Sequence, residues 1–259
     1  MTDVEEPLHG GLIAGRVVRV GDTVRRPGGA FTPTHHALLA HLQLRHFPAS
    51  RPLGVDAEGR EILSYLPGVC SSWPWPKALL ADDGARQVGA MLAAYHAAVA
   101  DFTPPAPAIW RHGPQDLEPG EIVLHGDFAP HNLIWTGDRL TGVIDFELAR
   151  PGLPLEDAAY AVIRVAQLRP DDMAARAGFA APPRRRRRLE AFAEGYGCSP
   201  DWLIGGVRAA QVSELERTER LGAAGIEPYA SGLARGLAEV IRTELAWIDA
   251  NLADIAAGG

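Results

Sequence analysis

The hydrophobic pattern changes period near Gly68, and this limits what the chain can fold into. Before that point, apolar residues come in short runs broken by Gly, Pro and Asp, as strands require. In GRVVRVGDTVRRP (15–27), two Val-rich runs flank Gly21-Asp22, a two-residue hairpin signal. Pro27 closes the second run because it has no N–H for a ladder. TPTHHALLAHLQLRHF (32–47) predicts a helix, with Thr32 as N-cap beside Pro33 and Leu38, Leu39 and Leu42 as its apolar stripe. REILSYLPG (60–68) reads as a strand stopped by Pro67-Gly68. After the connector CSSWPWP, residues 78–102 are Ala-rich, with Val88, Met91, Leu92, Tyr95 and Val99 at helical spacing. Helical segments also fill the chain from Pro154 onward, and no internal repeat is visible. The order predicts an α+β fold: a small antiparallel β lobe with one helix over 1–66, and a larger, mostly helical lobe over 67–259.

Composition narrows the functional class. With 259 residues and 47% hydrophobic content, the chain can bury a sizeable core in one large domain or two lobes. A net charge of −7 argues against a nucleic-acid partner. No apolar run approaches the ~20 residues of a membrane span. The start MTDVEEPLHGG is acidic and lacks a signal peptide's basic and apolar regions, so a soluble, cytoplasmic protein is expected. Cys70 and Cys198 fit two reduced thiols rather than a zinc motif or a disulfide framework. Lysine occurs once, at Lys77.

The chemistry concentrates in VLHGDFAPHNLIW (123–135) and GVIDFE (142–147), two apolar runs around a turn at 136–139. Such runs predict a second short hairpin. Asp127, Asn132 and Asp145 supply hard oxygen ligands of the kind Mg²⁺ takes, since it shares its remaining positions with water and phosphate. A carboxylate kept off the metal can accept a proton from an attacking hydroxyl, which is the equipment of phosphoryl transfer.

The same residues resemble the aminoglycoside phosphotransferase and small-molecule kinase family, whose fold is protein-kinase-like. The resemblance rests on His125-Gly126-Asp127 with Asn132, then Ile144-Asp145-Phe146-Glu147, then the segment Pro154 to Tyr160 that contains Asp157. It implies Asp127 as catalytic base, and Asn132 and Asp145 as ligands of a Mg²⁺ ion that bridges the phosphates of ATP or GTP. His125 and Asp157 would support the catalytic loop structurally. Ser64, Tyr65 and Leu66 would form a hinge whose backbone meets the purine edge, and Gly10 and Gly11 would lie in the loop over the phosphates. Kinase-like folds hold the phosphates with a strand lysine positioned by a helix glutamate. Here the strand ends in Arg-Arg-Pro, so Arg25 is the first candidate for that task and Arg26 the alternative, because successive strand residues face opposite sides. The glutamate position falls near His35 or His36, which leaves room for another acid.

The function implied is Mg²⁺-assisted, ATP- or GTP-dependent phosphoryl transfer to a hydroxyl of a small molecule such as an antibiotic, sugar or related metabolite. Two other readings stand beside it: a kinase-like binding or immunity protein with weak or no turnover, and a kinase of a peptide Ser or Thr. Glu214, Glu216, Glu219 and Glu244 fall on helices that would suit a polyamine acceptor. The five arginines at 184–188 read as a solvated helix start, and Trp73 and Trp75 as packing of the connector.

Overall fold

The alternating runs build an antiparallel sheet in the computed structural model, which describes residues 4–8, 17–71, 73–113 and 115–258. Its strands are β1 (Glu6–Pro7), β2 (Val18–Val20), β3 (Thr23–Pro27), β4 (Pro52–Val55) and β5 (Arg60–Ser64), in the order β1-β2-β3-β5-β4. Gly21, at φ 58°, makes the β2–β3 turn. Helix α1 (Thr32–Leu44) buries Leu38, Leu39 and Leu42. Thr32 lies inside this helix rather than capping it, and its hydroxyl accepts from Gly29 N–H at 3.0 Å. Strands β1 and β4 gave no alternating signal: one is two residues long, and β4 is an edge strand carrying Pro52 and Gly54.

After β6 (Val69–Cys70), α2 (Lys77–Leu80) and α3 (Asp82–Val99) divide the predicted single helix at Ala81. The polar stretch follows as β7 (Ile122–Leu124), a 3₁₀ turn (Pro130–Asn132), β8 (Leu133–Thr136), β9 (Arg139–Val143) and β10 (Arg150–Gly152). Strands β8 and β9 form the predicted hairpin, joined on one side by β6, while β7 pairs separately with β10. The remainder is α4 (Pro154–Val165), α5 (Asp171–Ala177), α6 (Arg185–Tyr196), α7 (Pro200–Ala223), α8 (Tyr229–Ala234) and α9 (Leu237–Ala257). Ser199 caps α7 by accepting from Trp202 N–H at 3.2 Å. Gly236, at φ 83°, separates α8 from α9.

The chain forms two compact units, Met1–Ser71 with Ala94–Pro154, and Ser72–Ala93 with Leu155–Gly259. The division read at residue 66 follows hydrophobic period rather than compactness. In the first unit, Leu38, Tyr95, Val123, Phe128 and Phe146 are sealed from solvent. In the second unit the arginine run is structural. Arg188 is buried and donates to the carbonyls of Leu79, Leu80, Ala81 and Val165 at 2.8–3.0 Å. Arg185 donates to Gln167 and Arg169 carbonyls, and Arg186 to those of Ile255 and Ala256 at the end of α9. Helix C-termini leave such carbonyls unsatisfied, and a guanidinium is suited to them by charge and by donor number. Trp75 is buried against Phe179. Among the described residues no helix is long and apolar enough to cross a membrane.

Candidate active site

The site is assembled in the first unit. Strand β7 delivers His125, and Gly126 turns the chain at φ 79°, where a Cβ would run into the Leu148 carbonyl oxygen. His125 is sealed from solvent. Its Nδ1 accepts from Asp127 N–H at 3.2 Å, so its Nε2 carries the proton and donates to Ile144 O at 3.1 Å. One imidazole therefore ties the loop bearing Asp127 to the residue before Asp145.

The Asp127 carboxylate is gripped on Oδ2. Asn132 Nδ2 donates to it at 3.0 Å and also to the Asp127 carbonyl at 2.9 Å. His131 Nε2 lies 2.9 Å from the same oxygen. Asn132 N–H donates to Ala129 O, and Asn132 O accepts from Ile144 N–H, so the hairpin sets this residue from both sides. With the amide nitrogen turned to Asp127, the carbonyl oxygen of the Asn132 side chain is the atom left for a cation. Asp145 follows β9 in the left-handed region (φ 66°, ψ 64°), an uncommon conformation for a residue other than glycine. Its carboxylate is partly exposed and accepts from Arg26 Nη1 at 2.9 Å.

Arg26 and Arg25 point to opposite faces of β3. Arg26 is buried; its Nε donates to Glu61 Oε2 at 2.5 Å and its Nη1 to Asp145. Burial opposes its charge, but Glu61, Asp145 and Glu147 outweigh that and hold its pKa above the ordinary arginine value. Arg25 instead donates to Thr23 Oγ1 at 2.5 Å and lies 3.8 Å from Asp56. Of the two candidates read from the sequence, Arg26 is the one that meets Asp145.

The acid on Arg26 comes from β5, not from α1. His35 is sealed among Phe31 and Trp110, and His36 Nε2 stands 3.9 Å from Glu61 Oε1. Sequence reasoning missed Glu61, although a signal existed. It occupies the inward face of β5 two residues before buried Leu63, and a buried carboxylate requires a cation. Arg111 was also missed, and Glu147, named in the motif without a role, pairs with it at 2.5 Å. Burial and the charge of Asp145 push the Glu147 carboxyl up to about 7, against the pull of Arg111 and Arg26.

At the hinge, Ser64 N–H donates to Arg51 O and Tyr65 N–H to Asp22 O, both at 2.9 Å. Both amides are thus spent within the protein, and Leu66 packs near Gly142 of β9. Asp157 is buried in the first turn of α4, in the second unit. Gly10 and Gly11 lie outside the described residues.

Comparison with known proteins identifies the family and the fold. A model of the phosphotransferase enzyme family APH matches residues 105–192, which include the whole hairpin and Asp157. The trifolitoxin immunity protein of Rhizobium leguminosarum bv. trifolii is 34% identical over 189 residues, 71% of this chain and 70% of that protein. The chain belongs to the APH phosphotransferase family. Its fold is that of solved kinases and phosphotransferases at low identity. The microcompartment-associated aminopropanol kinase aligns with a TM-score of 0.60 at 15% identity, over 98% of this chain and 94% of that one. Amicoumacin kinase hAmiN, solved with AMP-PNP, Ca²⁺ and Ami, gives 0.58 at 9% identity, over 92% and 88%. Aminoglycoside phosphotransferase APH(3'')-Id of Streptomyces rimosus, solved with ADP and streptomycin, gives 0.53 at 16% identity, over 78% and 90%. The kinase-like α+β fold and the family expected from the sequence are those found.

Proposed function

We propose that this APH family protein transfers a phosphoryl group from ATP or GTP to a hydroxyl of a small molecule in the cytoplasm. The observation that carries the reading is the Asp127 carboxylate, held on one oxygen by Asn132 and beside His131, with Asp145 presented by the adjoining hairpin. Asp127 would orient the acceptor hydroxyl and take its proton. The Asn132 side-chain oxygen and the partly exposed Asp145 carboxylate are hard donors that fit a divalent metal sharing its shell with phosphate and water. When bound, Mg²⁺ would supply charge neutralisation at the transferring phosphate. Arg26 would complement the phosphates, Ser64 to Leu66 would border the purine, and Gly10 and Gly11 would lie near the phosphates. His125 and Asp157 would keep the loop in place. In this reading residues 1–66 serve the nucleotide, and residues 67–259 the catalysis and the acceptor.

A direct test is calorimetric titration of Mg-ATP and Mg-GTP into wild type and Asp145→Asn. Binding that needs the metal and is lost in the variant supports the reading; a folded wild type that takes neither nucleotide defeats it. Phosphate transfer should then vanish in Asp127→Ala.

A second reading, an immunity-type binding protein with little turnover, is favoured by one observation. Arg26 already engages Glu61 and Asp145, so two of its three nitrogens are committed within the protein. The immunity relative is compatible with this reading. Robust turnover abolished by Asp127→Ala would remove it.

A further inference from the structure

The Arg26 guanidinium is placed by its neighbour across the sheet. Arg26 and Glu61 are direct partners in the antiparallel register of β3 and β5. Glu61 is sealed from solvent, and its Oε2 takes Nε of Arg26 at 2.5 Å. That bond fixes the plane of the fork, so Nη1 falls on Asp145 at 2.9 Å. Among the described residues, Arg26 Nη2 is buried with no acceptor and Glu61 Oε1 is buried with no donor. A guanidinium held this way keeps one donor for an incoming oxygen. Helix α1 supplies no carboxylate here: His36 Nε2 stands 3.9 Å from Glu61 Oε1, and His35 packs against Phe31 and Trp110.

We propose that Glu61 is the positioning acid of the site: from β5 it sets the angle at which Arg26 meets both Asp145 and the nucleotide phosphates. The inference rests on the phosphotransfer reading above. It predicts that the acid can be moved. His36 Nε2 already stands 3.9 Å from Glu61 Oε1 and feels the charge of Arg26, so a glutamate at this position is expected to take up the same guanidinium from the helix.

The experiment compares wild type, Glu61→Gln, and Glu61→Gln combined with His36→Glu. Two readouts are taken: affinity for Mg-ATP and Mg-GTP by calorimetry, and the Arg26 Nε–H resonance in ¹⁵N-labelled protein, assigned by its loss in Arg26→Lys. Glu61→Gln should weaken nucleotide binding by at least ~10-fold, the order expected for a charge-assisted hydrogen bond, and expose Nε–H to solvent exchange. The double variant should recover both. Where turnover is measurable, the loss in Glu61→Gln should fall on nucleotide KM and kcat together, while the acceptor KM holds. If Glu61→Gln does not fold, Glu61→Asp retracts the carboxylate by one methylene and should give a smaller loss of the same kind.

Unchanged nucleotide affinity in folded Glu61→Gln overturns the proposal, as does affinity that stays low in the double variant after the Nε–H signal has returned. Wild type that binds neither nucleotide overturns the phosphotransfer reading instead, and the proposal with it.

Discussion

His35 carries a chemical liability inside the first unit. It is sealed from water, and neither ring nitrogen has a partner among the described residues. Burial first, then the charges of Arg26, Arg111 and His36, press its pKa down to about 3. The unfolded chain binds a proton there near pH 6.5 and the folded chain refuses it. Stability is therefore full above that pH and falls as acid is added, by up to ~1.4 kcal/mol per pH unit. His35→Leu should flatten the thermal midpoint between about pH 6 and 4.5, above the range where most carboxylates titrate. A midpoint profile matching wild type would show that His35 is not the group responsible. The grouping of Asp127, Asn132 and Asp145 was legible in the sequence because their spacing places them on one loop and the hairpin that follows it. Glu61 was not, because its meaning depends on a register between β3 and β5 that no local pattern states.

Helix ends and crossings determine how the second unit holds together. Arg188 satisfies carbonyls from the α2 end and from Val165 of α4, and burial lowers its pKa to about 10. Arg188→Met should cost on the order of 3 kcal/mol, since it strands several buried acceptors. Lysine should not rescue it, because three donors on a flexible stem cannot copy the planar fork. Urea denaturation of both variants checks this. Helices α3 and α6 meet at Gly89 and Gly195, where an added Cβ would strike the carbonyl oxygens of Phe192 and Arg86 respectively. Gly195→Ala should push the helices apart and lower stability by more than alanine's helix propensity, about 1 kcal/mol in its favour, can return; the thermal midpoint reads the net sign. The hairpin and the long helices were visible as periodicity. The division at Ala81 and the pairing of β7 with β10 were not, because one is a break within a helical pattern and the other joins segments far apart in sequence.

Across the whole molecule, the net charge of −7 overstates the acidity on offer to a ligand. Glu214 is paired with Arg217, Glu219 with Arg242, and Glu244 with Arg169 and Gln211. The helical acids that suggested a polyamine acceptor are largely answered from within. Titration with a polyamine such as spermidine should show weak binding that Glu219→Gln changes by less than ~2-fold, the scale of an exposed ion pair; a large loss would return the cation to contention as an acceptor. Charge counts in the sequence could not show this: Glu214 and Arg217 lie one turn apart on α7, but Glu219 meets Arg242 and Gln211 meets Glu244 only when α7 and α9 pack together. The strand pair that holds Arg26 has a consequence of another kind. Its acid and its base sit opposite each other on hydrogen-bonded strands of one sheet, so they meet whenever the sheet exists. A helix that tilts or slides cannot part them. The pairing is as durable as the sheet that carries it, and separating the two would first require β3 to unzip from β5.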